Sequence, residues 1–520
     1  MKQITKIILH NFKRFMDLEI DLNPSMNLFI GDNESGKSTI LQAIDLVARG
    51  SHTKVEDVGL ERLFNVNVVD DFMKGDKALN KLPTMEIDLF FNEQNDEYLN
   101  GYNNFKGISS DGIRLVCEPN HSDFGQQIRN VIQNDNIFPF EYYSISFSTF
   151  AGNSFNGYSK QLKSIFIDNS QIGSQYSINE YVKTLYNSKL TSEQRIDIKQ
   201  KYHSHKEKFK AEVLAGFNEA NDNYTFALKN SPQSNIETDI TILYNDIPIE
   251  NKGTGMQCFI KTELSLQKAQ DDIDVVLIEE PESHLSYLNM LKLIDSIENA
   301  QNRQLFIATH SDLIATRLDL RNCFLINSNS NSVTPLKDVE EDTARFFIKA
   351  PDNNLLQFVL SNKVILVEGD AEFILMEKMF NIVCQKSLKE SGIGVIAVDG
   401  KCFKRYLKIA EQLNIKVAVI TDNDKDYEQN ITQNYCEYLE KENINIFADS
   451  DKDFYTFECC IYRDNKDLCD TLFQTPQRRL AIKDYMISNK ADSAFKLALE
   501  APNGFVVPDY IKKAIEWINA

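Results

Sequence analysis

Carboxylates at the ends of apolar runs raise the first chemical question. Residues 364–372 read VILVEGDAE, residues 395–400 read VIAVDG, and residues 417–426 read VAVITDNDKD. Each run reads as a buried strand that stops on acid: Glu368, Asp399 and Asp422. Glu368 and Glu372 are four apart across a strand–helix junction and can project toward one point. Asp422 and Asp424 alternate, so in extended chain they share a face. Carboxylates packed together repel and raise one another's pKa unless a cation lies between them. Hard oxygen donors with room for water suit Mg²⁺ or Mn²⁺. The basic segment KCFKRYLKIAEQL follows Asp399-Gly400 and sets Lys401, Lys404, Arg405 and Lys408 on one helical face. Such a stripe could neutralise a nucleic-acid backbone.

A second constellation lies near the N-terminus. Residues 31–38 read GDNESGKS, which is G-x-x-x-x-G-K-S between an apolar strand and a helix over Thr39–Ala48. Gly31 and Gly36 allow the tight turn, and backbone N–H groups at the helix start cradle phosphate. Lys37 places a charge on the β/γ-phosphates and Ser38 offers a hydroxyl to Mg²⁺. Asn33 and Thr39 fall within the same nucleotide site. VVLIEE (residues 275–280) is a buried strand ending in two carboxylates. Glu279 would reach Mg²⁺ through water and Glu280 would polarise the attacking water. Pro281-Glu282 also reads as an ordinary helix start. QLFIATHS ends a third strand at His310, placed to sense the γ-phosphate.

Elements with the right periods must carry these residues. TMEIDLFF alternates as a half-buried strand, and DITILYN reads as another. CFLIN and SVTPL look like a hairpin around Ser328–Ser332. The polar, helix-like stretch from about 175 to 230 reads as a helical insertion. Strands near 364, 395 and 417 alternate with helices, a βαβ rhythm that predicts a parallel sheet, whose C-terminal edge is where such sheets bind ligands. The last ~60 residues read as helical. The fold class is therefore α/β, in 520 residues, a length for several domains.

Composition narrows the rest. Hydrophobic residues make up 42% and charged residues 25%, which is globular rather than disordered. The net charge of −20 argues against a global basic field for nucleic acid but permits a local groove and cation sites. Nine cysteines without CxxC spacing fit reduced, mostly buried thiols. His203 and His205 are i and i+2 in a stretch that reads as a helix and do not share a face, which disfavours a metal there. No apolar run reaches membrane-spanning length and the first residues lack a signal-peptide core, so the reading is cytoplasmic, with no membrane partner.

The order P-loop, KGTGMQ (Lys252–Gln257), LIEEPE, ATHS resembles the ABC-type ATPase heads of the SMC and RecF group, and ITKIILHNFKRF looks like their opening strand. In that group a signature motif starts a helix and caps ATP held by a partner subunit. Gly253, Gly255 and Gln257 match it here, without the usual serine. The resemblance implies a homodimer, or higher oligomer, through the heads. The order E-G…D-G…D-x-D resembles TOPRIM domains, and a head followed by TOPRIM is similar to the OLD family of ATP-dependent nucleases. That likeness implies an ABC-type ATPase domain over 1–355 with the helical insertion, a TOPRIM domain over 356–460 and a helical region over 461–520 completing the nuclease site. It makes Glu368, Glu372, Asp422 and Asp424 metal ligands, with Asp399 and Glu458 as further candidates. It gives Lys490 a role beside the scissile phosphate, with Lys512 and Lys513 as rivals.

The expectation is an ATP-binding, Mg²⁺- or Mn²⁺-dependent DNA endonuclease with two ions at the TOPRIM site. The resemblance further implies an antiviral defence role and a partner protein or retron-type nucleic acid. An alternative is a non-nucleolytic ATPase clamp or sensor that binds nucleic acid. A third reading is a topoisomerase or primase; a topoisomerase would also need a tyrosine nucleophile on a separate module, for which the ~60 residues after TOPRIM leave little room.

Overall fold

The structure, a computed structural model, describes residues 2–92, 95–169, 182–183, 186, 190–214, 228–229, 235–268, 273–299, 303–327, 332–349, 354–398, 402–475, 480–501 and 504–520. The chain divides into two compact units: Met1–Phe29 with Asn33–His310 and Ser328–Ser332, and Ile30–Asp32 with Ser311–Asn327 and Val333–Ala520.

Two sheets organise the first unit. β1 (Ile4–Phe12), β2 (Phe15–Asp21), β4 (Met85–Phe91), β5 (Asn100–Gly101), β6 (Ser110–Pro119) and β7 (Tyr143–Thr149) form an antiparallel sheet in the order β2-β1-β4-β6-β5, with β7 also on β6. The other sheet runs β3-β12-β11-β8, from β3 (Met26–Gly31), β8 (Ser164–Asp168), β11 (Val275–Glu279) and β12 (Gln304–Thr309). β11 pairs in parallel with both β8 and β12, so their C-terminal ends share one edge. All five residues of β11 and all six of β12 are buried, as expected of a sheet covered on both faces. The side chain of Gln304, fully buried, joins the sheets. Its Oε1 accepts from Ile4 N at 2.7 Å and its Nε2 donates to Ile4 O at 2.7 Å.

A buried ion contact stiffens the antiparallel sheet. Asp88 and Arg114 are directly opposite on β4 and β6, and Arg114 Nε lies 3.2 Å from Asp88 Oδ1. Arg114 also pairs with Glu86 and donates to Asn103 Oδ1 at 3.0 Å. Burial lifts Asp88 to about 6 against the pull of Arg114. Arg114→Met strands a buried carboxylate, and breaking such a pair costs about 3–5 kcal/mol. Urea unfolding at neutral pH is expected to show a loss of that order.

The first unit departs from the sequence reading in two places. Only two residues of the predicted DITILYN strand pair: β9 (Leu243–Tyr244) meets β10 (Ile247–Pro248) across Asn245-Asp246, both at positive φ, a turn that favours a short hairpin. Within the expected insertion, Ser192–Glu212 is a helix opened by a Thr191/Gln194 capping box, and most of the remaining span lies outside the described residues.

The second unit holds a hairpin and a parallel sheet. β13 (Cys323–Ile326) and β14 (Val333–Pro335) pair antiparallel, as read from CFLIN and SVTPL. β15 (Lys363–Val367), β16 (Ile393–Ala397), β17 (Lys416–Ile420) and β18 (Ile444–Phe447) form a sheet in the order β16-β15-β17-β18, every pairing parallel. This is the predicted βαβ pattern. Helix Asp370–Cys384 follows β15, and helices Lys490–Glu500 and Asp509–Asn519 pack on it. Ile365, Val367, Met376, Phe380, Ile511 and Ile515 share the resulting core. Among the described residues all nine cysteines are free, and no helix is long and apolar enough to cross a membrane.

Candidate nucleotide and metal sites

The P-loop geometry follows from glycine. Gly36 has φ 109°, and a Cβ there would meet Phe15 Cζ at 2.5 Å and Arg14 Cδ at 2.7 Å, so no L side chain fits that conformation. The helix starts at Lys37, two residues before the sequence reading placed it. Lys37, Ser38 and Thr39 thus occupy the first turn, where free N–H groups favour an anion. Lys37 is 5% exposed. Gly31 ends β3, and Asn33 stands in the loop between.

At the shared strand edge β11 delivers Glu279 beside the P-loop helix. Burial raises the pKa of Glu279, a hydrogen bond with Ser38 lowers it, and Asp168 and Glu280 raise it again. Asp168, opposite Glu279 at the end of β8, was missed by the sequence reading, although SIFID carries the same apolar-run-then-acid signal. The next residue, Asn169, is fully buried, and neither of its side-chain polar atoms has a hydrogen-bond partner. Glu280 sits at φ 46°, its N–H donates to Ala308 O at 2.8 Å and its Oε2 accepts from Ser283 Oγ at 2.9 Å. Backbone and side chain are therefore fixed at the strand end.

Pro281-Glu282 does not start a helix; a turn intervenes and the helix begins at Tyr287. Glu282 is taken instead by β12, accepting from Thr309 Oγ1 at 2.8 Å and His310 N at 2.7 Å. This holds His310 beside the acidic strand end. The matched signature glycines also have a place. The helix Thr254–Lys268 starts between Gly253 and Gly255, and a Cβ on Gly255 would lie 2.1 Å from His284 O. Gln257 Nε2 donates to Lys252 O at 2.8 Å, closing the loop before that helix. Lys13, on the β1–β2 turn, feels burial, which lowers its pKa, and Glu279, which raises it. It joins Asp168 among residues that sequence reasoning did not name, while Glu282 was read only as part of a helix start.

The second site lies at the C-terminal edge of the parallel sheet. Glu368 follows β15, Glu372 lies in the first turn of helix Asp370–Cys384, Asp422 follows β17, and Glu458 opens helix Phe457–Asp464. Lys490 is the first residue of helix Lys490–Glu500. Asp422 Oδ1 accepts from Phe457 N at 2.8 Å, and Asp422 N donates to Glu368 Oε2 at 3.3 Å. Lys490 Nζ lies 3.3 Å from Glu458 Oε2. Glu458 is 2% exposed, and neither of its oxygens accepts a hydrogen bond of good geometry.

Burial, then the charges of Glu368 and Glu372, lift Asp422 to about 8. Burial lifts Glu372 to about 7, with Glu458 and Glu368 adding to it. Burial would lower Lys490, but Glu458, Asp422 and Glu372 together raise it. Tyr510 of the C-terminal helix is driven well above its ordinary value by burial first, then Cys460, Asp422 and Glu372. Among the described residues no three His, Cys, Asp or Glu side chains converge tightly enough to hold an ion as they stand. The donor chemistry still fits a hard cation. Both oxygens of buried Glu458 lack a hydrogen-bond partner, and the mutual repulsion of the carboxylates is what an ion would relieve.

These shifts set a pH dependence. In the ion-free protein the folded state holds protons on Glu372 and Asp422 that the unfolded chain has released. Stability is therefore full at acid pH and declines as pH climbs from the ordinary carboxylate values of 4.5 and 3.8 to about 7 and about 8. Melting in EDTA is expected to fall across that window, and saturating Mn²⁺ to remove most of the fall.

Other predicted residues stand differently. β17 ends at Ile420, and Asp424 is exposed at φ 49°. The alternation that would align it with Asp422 needs extended chain and does not hold there. Asp399 and Lys401 lie outside the described residues. In the helix Phe403–Leu413 the basic stripe is partly engaged within its own unit. Lys408 pairs with Glu340, Arg405 Nη1 donates to Thr343 Oγ1 at 3.4 Å, and Lys404 lies over the Tyr435 ring at 5.9 Å. The rivals of Lys490 are paired on their own helix: Lys513 with Asp509 at 2.7 Å and Lys512 with Glu516 at 4.0 Å.

Comparison with known proteins agrees with this architecture. The AAA ATPase domain model matches residues 1–222. The TOPRIM domain of overcoming lysogenization defect protein-like chains matches residues 359–424. The chain is 25% identical over 211 residues to the Old nuclease of Escherichia phage P2, covering 38% of this chain and 33% of that protein. It is 40% identical over 57 residues to the DNA replication and repair protein RecF of Lactococcus lactis subsp. cremoris (strain MG1363), covering 10% and 16% respectively. The matches thus span a third or less of these relatives. Among solved structures, an SMC head bound to the C-terminal winged-helix domain of ScpA has 14% identity, covers 65% of this chain and all of that one, and superposes at a TM-score of 0.35. The chain is an OLD-family protein, an AAA-type ATPase domain followed by an OLD-like TOPRIM domain and C-terminal helices.

Proposed function

We propose that this protein is an ATP-binding and ATP-hydrolysing, divalent-metal-dependent DNA endonuclease. The carrying observation is the carboxylate set of buried Glu372 and Glu458 and half-buried Glu368 and Asp422, with Lys490 against it, at the ligand-binding edge of a parallel sheet. Mg²⁺ or Mn²⁺, when bound, would supply an activated water and charge stabilisation at a phosphodiester. The chain's own contribution is to hold the carboxylates on rigid strand and helix ends and exclude bulk water behind Asp422 and Glu458. Lys490 would offset charge on the phosphate. Asp424 and Asp399 remain candidate ligands and Lys404 a candidate backbone contact.

At the first site, Lys37 and the helix N-terminus would hold the nucleotide phosphates and Ser38 with Glu279 its Mg²⁺. Glu280 would orient the attacking water beside His310. Pairing of two heads through the helix after Gly253 and Gly255, gating of DNA access by nucleotide state, and a role in defence against phage, with a partner protein or retron-type nucleic acid, belong to the same proposal. So do the domain limits 1–355, 356–460 and 461–520.

One observation favours a second reading, an ATPase clamp that binds nucleic acid without cutting it. The carboxylates do not converge on an ion as they stand, and a lysine already balances them. Nicking of supercoiled plasmid by the full chain with Mg²⁺ or Mn²⁺, in ATP, ADP and no nucleotide, separates the two. The nuclease reading expects Lys37→Ala to lose ATP binding and its nucleotide response. Wild-type protein that hydrolyses ATP and retains DNA but never nicks it would favour the clamp.

A further inference from the structure

Two helices that begin at the carboxylate site run side by side in the same direction. At the far end of helix Lys490–Glu500, Lys378 from the middle of helix Asp370–Cys384 donates to three carbonyls of that end: Leu497 at 3.0 Å, Ala498 at 3.1 Å and Ala501 at 2.8 Å. A cation suits a helix C-terminus, where carbonyls lack partners. That end of the helix is therefore fixed.

The near end is arranged against the same rule. Lys490 is the first residue of the helix, where the helix dipole disfavours a cation, and Asn489 provides no side-chain cap. What holds the ammonium is the anionic surroundings. Glu458 Oε2 is at 3.3 Å, and the charges of Asp422 and Glu372 also act on the ammonium. Glu458 is almost fully buried yet accepts no well-formed hydrogen bond, so charge, rather than a short directed contact, is the larger part of the pairing. The lysine side chain is 49% exposed, so it has solvent to move into without any shift of its helix. An ammonium held mainly by charge, among carboxylates suited to a divalent cation, occupies the place such an ion would take.

On the reading of this cluster as a divalent-ion site, we propose that Lys490 is the ion's internal competitor. Its ammonium balances Glu458, Asp422 and Glu372 in the ion-free protein and leaves them when the ion binds. The same side chain thus keeps the empty site folded and becomes available to an incoming phosphate only once the site is filled.

The test uses the wild-type full chain first. Acylation of Lys490 by an amine-reactive ester, followed by mass spectrometry against Lys512 and Lys513 as internal references, is expected to rise several-fold when Mn²⁺ is added. Calorimetry of Mn²⁺ binding is the second arm. Lys490→Met is expected to bind Mn²⁺ about tenfold more tightly than wild type, in line with the loss of one opposing charged contact, while Lys490→Arg stays near wild type. Labelling that is unchanged or reduced by Mn²⁺, in protein shown by calorimetry to hold the ion, overturns the competition and leaves the metal site standing. Failure of wild type to bind Mn²⁺ at all overturns both. If Lys490→Met does not fold, the labelling arm decides alone.

Discussion

Asp422→Asn is expected to lower phosphodiester cleavage by on the order of 10²–10³-fold, the scale of removing one preorganised charge-stabilising group, while leaving the fold and ATP turnover intact. The substitution is nearly isosteric. It keeps the oxygen that accepts from Phe457 N at 2.8 Å, so the helix carrying Glu458 stays seated. It removes a charge that burial, Glu368 and Glu372 already oppose, as the rise to about 8 shows. In EDTA near pH 8 the variant is therefore expected to melt no lower than wild type. Cleavage then falls with no loss of stability, which simple unfolding cannot produce. Initial rates of plasmid nicking in Mn²⁺, beside melting curves in EDTA, provide the check.

Glu280→Gln is expected to reduce ATP hydrolysis by roughly 10²–10⁴-fold, the usual contribution of a positioned general base, with nucleotide affinity unchanged. In the proposed site affinity rests on Lys37, the helix N-terminus and the Ser38–Glu279 pair, whereas the Glu280 carboxylate is held by Ser283 Oγ. The side-chain amide in this variant would retain an oxygen for Ser283 Oγ, and the backbone bond to Ala308 O is untouched, so the strand end stays in place. Turnover by phosphate release and affinity by a fluorescent nucleotide separate the two effects. If binding and turnover fall together, Glu280 supports the loop rather than the water.

How legible all this was in the sequence depends on the range of the interaction. The P-loop and the strand ends at Glu279, Glu368 and Asp422 are local signals, and the structure places each at the edge where its run of apolar residues stops. The parallel sheet was readable because β15, β16 and β17 each carry an unbroken apolar run. The hairpin Cys323–Pro335 was readable from its polar turn. What local pattern cannot carry is the backbone beyond a strand's end. The chain leaves extended geometry after Ile420, which separates Asp424 from the pleat that would have aligned it with Asp422. Nor can it show partners distant in sequence. Glu282 looked like a helix start until Thr309 and His310 were found to donate to it. Lys408 looked open until Glu340 was found beside it. Glu458 and Lys490 come together only through tertiary packing, and the family likeness, rather than any spacing, pointed to them.

The central claim is that the carboxylate cluster, and not the ATPase site, cuts DNA. Plasmid nicking in Mn²⁺ by wild type and by Asp422→Ala/Asp424→Ala, with ATP hydrolysis measured on the same preparations, tests it most directly. The account predicts that wild type nicks, that the double variant does not, and that both hydrolyse ATP at the same rate. A double variant that nicks as fast as wild type would contradict it.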